Sequence, residues 1–155
     1  MPTPFRRFLT KAVIHPWFRV SRGLTLGVRG MVLDADNRVL LVRQSYHPGL
    51  VMPGGGVERG ETVRTALERE VAEEANVTIT GEPHLFGVYS NEAFFRGDHV
   101  VLFVVRAFKA RPFTPTREIV EAGFHPVDRL PADVSAGTRR RIAEVLEGRP
   151  PAATW

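Results

Sequence analysis

At 155 residues, 43% apolar and 25% charged, the chain suits one folded domain around one hydrophobic core and does not have the composition of a disordered polymer. It contains no cysteine, which excludes disulfides, thiolate catalysis and Cys-based metal sites. The net charge of +4 rests almost wholly on arginine (Lys11 and Lys109 are the lysines), and its spread along the chain does not mark a nucleic-acid binder.

Residues 4–15 (PFRRFLTKAVIH) predict a short amphipathic helix, with Phe5, Phe8, Leu9, Ala12 and Val13 at helical spacing and Pro16 as its stop. Residues 1–20 thus form an arm expected to dock on the core or to make a homodimer contact. Docking on an anionic membrane surface is the alternative. Lys11, His15 and Pro16 break the apolar stretch, so it does not read as a signal peptide. No apolar run approaches a membrane span, and a cytoplasmic location is expected. Residues 24–34 and 39–45 predict the two strands of a hairpin, turned by Asp34 to Asn37. A loop with Pro48 and Gly49 leads to Pro53-Gly54-Gly55-Gly56, the most backbone-permissive stretch in the chain. Residues 61–75 give the strongest helix signal. Strands follow at 84–90 and 99–109, joined by a loop carrying Phe94 and Phe95, and a short strand at 120–126. A last helix over 135–148 is stopped by Gly148 and the prolines at 150 and 151. The order predicts a single mixed α/β domain over 21–150.

Chemistry concentrates on the central helix. Glu70, Glu73 and Glu74, at i, i+3 and i+4, lie on one side of it. Val63, Ala66, Leu67 and Val71 define its apolar stripe, and Glu70 and Glu74 project within that stripe. Acids on a core-facing stripe are costly unless compensated, and neighbouring carboxylates raise one another's pKa. A bound divalent cation removes both problems, and oxygen-only ligands favour Mg²⁺, Mn²⁺ or Ca²⁺ over zinc. The competing reading is a solvated acidic face paired to arginine. The glycine turn just ahead of the helix can bring backbone groups close to a metal or a phosphate.

Gly55 to Val77 reads GGVERGETVRTALEREVAEEANV. This resembles the Nudix box, matching at Gly55, Glu61, Arg69, Glu70, Val71, Glu73, Glu74 and Val77. The departure is Asn76 where the family has glycine, and asparagine is the next-best residue for a left-handed helix cap. The late segment Glu118 to Phe124 is also similar to a Glu-plus-aromatic segment of that family. The resemblance implies an α/β/α sandwich with a mixed β-sheet. It implies a Mg²⁺-dependent hydrolase (Mn²⁺ as the other ion) that cleaves the diphosphate of a nucleoside diphosphate linked to a group X. Glu70, Glu73 and Glu74 would hold the ion with the Gly55 carbonyl. Arg69 would pair with Glu61 to fix the loop, and Glu74, Glu70 or Glu121 would be the base.

For substrate contacts, Tyr46, His47, Phe94, Phe95 and Phe124 are candidates to stack on a base, and Arg43, Arg96 and Arg106 to meet phosphates. The substrate alternatives are ADP-ribose and other nucleotide-sugars, nucleoside triphosphates, dinucleoside polyphosphates and capped RNA 5′ ends. A non-catalytic nucleotide-sensing module is the rival from another class.

Overall fold

The computed structural model describes Trp17 and residues 23–155; the predicted helix at 4–15 lies outside the described residues. Among residues 23–155, eight strands and two helices follow in the order β1 (Thr25–Val32), β2 (Arg38–Gln44), β3 (Leu50–Val51), α1 (Val63–Ala75), β4 (Val77–Ile79), β5 (His84–Ser90), β6 (Asp98–Val105), β7 (Phe108–Ala110), β8 (Ile119–Pro126) and α2 (Ala136–Leu146). β1 pairs in parallel with β6, which pairs antiparallel with β5. A second antiparallel sheet has the order β3-β2-β8, and β4 pairs with β7.

The predicted hairpin does not form, although its turn does. The Asp34 carboxylate accepts from the N–H groups of Asp36 and Arg38, and Asn37 takes a φ of 53°. One bridge, Leu33 to Val39, then joins the strands before they part into different sheets. The reason is that both edges of β1 are already taken. One edge carries β6, and the other meets the glycine turn, where Val28 N–H donates to Gly55 O (2.8 Å) and Gly30 N–H to Pro53 O (2.9 Å). The predicted strand at 99–109 is likewise two strands, β6 and β7, the second of which pairs with β4.

Strand alternation sorts the core into two layers. Val28, Val32, Leu40, Val42, Val101 and Phe103 pack with Ala66, Leu67 and Val71 of α1. The intervening residues Met31, Leu33, Val39, Leu41, Leu102 and Val104 pack instead with Ile142 of α2. With one helix on each face, the mixed sheet system is the expected α/β/α sandwich. β1 and α1 approach closely at Gly30, where a Cβ would sit 2.9 Å from Leu67 Cδ1.

Helix α1 is set at both ends by side chains. The Thr62 hydroxyl accepts from Thr65 N–H (3.1 Å), which satisfies one orphan donor of the first turn. Asn76 closes the helix in the left-handed conformation (φ 54°, ψ 40°), as its place in the sequence pattern implies, and its Nδ2 donates to Pro112 O (2.9 Å). No helix among the described residues is long and apolar enough to cross a membrane.

Candidate active site

The glycine turn is held from below by an arginine. Arg29 projects from β1 on the opposite side from Val28 and donates through Nη1 to Met52 O (2.9 Å) and Gly54 O (3.0 Å). Burial lowers its pKa, and the Glu74 carboxylate acts most strongly in the opposite sense. A half-buried guanidinium thus sits against the turn, beside the acids of α1. Sequence reasoning missed it, because a lone arginine in an alternating strand reads as solvent-facing.

The three glutamates occupy three different environments. Glu74 is 9% exposed and accepts from Gly54 N–H (2.8 Å) and Gln44 Nε2 (3.1 Å). Burial raises its pKa, while the Gly54 N–H, Gln44 and Arg29 pull it down. Glu70 is mostly buried and packs against Gly55, where a Cβ would lie 2.6 Å from its carboxyl carbon. It accepts from Arg69 Nη1 (2.8 Å). Glu73, by contrast, has a side chain 63% exposed, and stands 3.5 Å from the same Arg69 nitrogen. Two of the acids are therefore held inward, and the third stands at the rim.

All three line one cavity of about 800 Å³, together with Gly54, Gly55 and Gly56. Arg29, Gln44, Tyr46, His47, Phe94 and Glu118 complete much of its wall. The donor set suits a hard divalent cation: carboxylate oxygens beside a glycine turn whose carbonyls lie close by. The Gly55 carbonyl already accepts from Val28 N–H but keeps a second lone pair. Among the described residues no three acids or histidines stand converged as a ready ligand set. Glu70 and Glu73 lean on Arg69 instead, so that a divalent ion would have to compete with Arg69 for the same oxygens.

Other sequence candidates fall elsewhere. Glu121 pairs in register with Arg43 across β2 and β8, and Arg43 shares the sheet face of Leu41, away from Gln44 and α1. There Arg43 Nε donates to Glu121 (2.8 Å) and its Nη1 to Asp133 (2.6 Å). Neither lines the cavity, whereas Glu118, three residues before Glu121, does. Tyr46 and Phe94 line it, and Phe94 is 79% exposed. Phe95 does not line it. Phe124 stacks on Phe108 at 5.5 Å within the α1 side of the core.

Arg69 and Glu61 are paired as the resemblance implied. Arg69 Nε and Nη2 form a fork to the two Glu61 oxygens (2.8 and 3.0 Å), and Nη2 also reaches Gly56 O (3.1 Å). The hydrogen bonds from Arg69 hold the Glu61 carboxyl at about 2, against 4.5 for an ordinary glutamate. The folded state thus binds this proton more weakly than the unfolded chain. Its contribution to stability is complete above the ordinary value and is lost as pH falls through the folded one. A side-chain carbon NMR titration is expected to place the Glu61 midpoint near 2, and Arg69→Gln to return it to the normal carboxylate range. An unshifted Glu61 in the wild type would break the assignment.

The NUDIX domain family model matches residues 23–145. The chain belongs to the NUDIX domain family. Over 76 residues it is 37% identical to an ADP-ribose pyrophosphatase of Methanocaldococcus jannaschii, covering 47% of this chain and 44% of that protein. It is 39% identical over 74 residues to the Nudix hydrolase YvcI of Bacillus subtilis, covering 48% of this chain and 46% of that one. The chain therefore spans under half the length of these curated relatives. Among solved structures, a MutT NUDIX hydrolase from Burkholderia pseudomallei superposes with a TM-score of 0.68 at 24% identity, over 78% of this chain and 97% of its own. A MutT protein from Bacillus halodurans gives a TM-score of 0.67 at 24% identity, over 84% of this chain and 85% of its own. These likenesses show the NUDIX fold.

Proposed function

We propose that this chain is a Mg²⁺-dependent hydrolase that cleaves the diphosphate linkage of a nucleoside diphosphate joined to another group, with ADP-ribose the first substrate to try. The observation that carries the reading is the meeting of Glu70, Glu73 and Glu74 with the Gly54–Gly56 turn around one cavity. The printed activity of the archaeal relative supports the choice of substrate.

Glu70, Glu73 and Glu74 would hold the ion, with the Gly55 carbonyl beside them; Mn²⁺ suits the same oxygens. When bound, such an ion supplies charge neutralisation for the diphosphate and a more acidic water. The chain's own residues supply the positioning. Arg29 fixes the carbonyls of the turn, and Arg69 and Glu61 lock the loop onto α1. Glu74 is the leading candidate to accept the proton of the attacking water, because burial raises its basicity while Gln44 and Gly54 fix its direction. Glu70 is the second candidate. The bond between bridging oxygen and phosphorus breaks as water adds to that phosphorus, and two phosphate-bearing products leave.

Incubation with about twenty diphosphate compounds, with Mg²⁺ and with EDTA, tests the reading. Release of a nucleoside monophosphate from at least one compound, abolished by EDTA, is the expected outcome. Tight nucleotide binding with no turnover of any compound would replace the hydrolase by a sensing module.

A further inference from the structure

A second cavity, of about 520 Å³, adjoins the first and shares Arg29, His47 and Phe94 with it. Thr154 and Trp155 line it, as do Asn91 and Glu92 of the β5–β6 loop. The sequence reading ended the domain at 150, yet residues 151–155 fold back onto β5 and α2. Ser90 N–H donates to Ala153 O (2.9 Å), and Trp155 N–H to Ser90 O (3.0 Å). Arg140 Nη2 donates to Trp155 O (2.7 Å).

The indole itself is clamped. It meets Tyr89 edge-on at 5.5 Å, and the Arg141 guanidinium lies 5.6 Å from its centroid. Arg141 is 2% exposed and is held by Glu144 (2.8 Å) and Thr154 O (2.7 Å). Gly137 leaves room for the ring: a Cβ there would lie 2.9 Å from Trp155 Cδ1. A buried ion pair is costly to build, and what Arg141 and Glu144 secure here is the segment that carries Trp155 into the cavity wall. Phe94, exposed on its loop, lines the same cavity, and so do the polar residues Asn91, Glu92 and Arg140. A concave site lined by two aromatic residues and several polar ones suits a flat, heteroatom-rich ring.

We propose that Trp155, fastened by Arg141, is a specificity-determining residue, and that it and Phe94 bound the subsite for the nucleobase of the substrate. The diphosphate then lies across the shared seam of Arg29 and His47, toward the glutamates. The assignment rests on the hydrolase reading for the diphosphate, but nucleotide binding tests it apart from turnover. Trp17 and Trp155 are the two tryptophans of the chain, so Trp17→Phe leaves Trp155 as sole reporter. In EDTA, its fluorescence is expected to fall saturably with a nucleoside 5′-monophosphate, after correction for nucleotide absorbance, and to ignore ribose 5-phosphate. Trp155→Leu in the otherwise native chain is expected to raise KM for the best substrate about tenfold, with kcat changed much less. Quenching without hydrolysis of any compound would keep the subsite and remove the hydrolase. Hydrolysis by Trp17→Phe without quenching, or an unchanged KM in Trp155→Leu, would overturn the subsite and leave the hydrolase standing.

Discussion

Replacing Glu73 by glutamine is expected to lower kcat by about two to four orders of magnitude, with thermal stability close to the native chain. The two halves of this expectation have separate causes. Glu73 is mostly exposed and, among the described residues, pairs with Arg69 alone, at 3.5 Å, so neutralising it breaks little of the fold. Yet in the proposed ion site the loss of one of three carboxylates would weaken both ion binding and charge neutralisation. Glu74→Gln is expected to lose as much turnover but also some stability. Its carboxylate receives two donors, Gly54 N–H and Gln44 Nε2, whereas a carboxamide offers one acceptor oxygen and brings its own donors. Steady-state kinetics beside thermal melts separate the effects. Native rates in both variants would remove the acids from the reaction.

The second large effect is on folding. Gly54 has a φ of +147°, and a Cβ there would lie 2.9 Å from Arg29 Cα and closer still to the Val28 carbonyl oxygen. Backbone, unlike a side-chain tip, has no rotamer by which to yield. Gly54→Ala is therefore expected to cost about 3 kcal/mol or more in denaturant unfolding, and to pull the turn away from Arg29. Gly56→Ala is the internal comparison. Gly56 has no atom within 4 Å of its added Cβ, so its change should stay within about 0.5 kcal/mol. Equal losses in the two variants would show that the turn is not wedged against β1.

The sequence made the acidic helix legible because its information is local. Glutamates at i, i+3 and i+4, a threonine at the N-cap and an asparagine able to turn left-handed all act within a few residues of one another. The β1–β2 hairpin shows where local information ends. Asp34 and Asn37 do make the turn, but β1 has its edges claimed by β6 and by the glycine turn, partners that no short window reveals. Glu118 and Glu121 show the same limit at single-residue scale. They lie three apart in a segment with a register shift opposite Arg43 and Gln44, and their faces depend on how β8 meets β2. Arg29 and Trp155 were missed for a related reason. Each gains its role from groups far along the chain: the Met52 and Gly54 carbonyls in one case, Ser90 and Arg141 in the other.

Calorimetric titration of Mn²⁺ into the wild type and into the Glu70→Gln/Glu73→Gln double variant probes the ion site without any assumption about substrate. Saturable binding by the wild type, weakened at least about tenfold in the variant, is the predicted result. Identical isotherms for the two proteins would mean that these carboxylates serve Arg69 alone, and the hydrolytic chemistry assigned to the cavity would go with them.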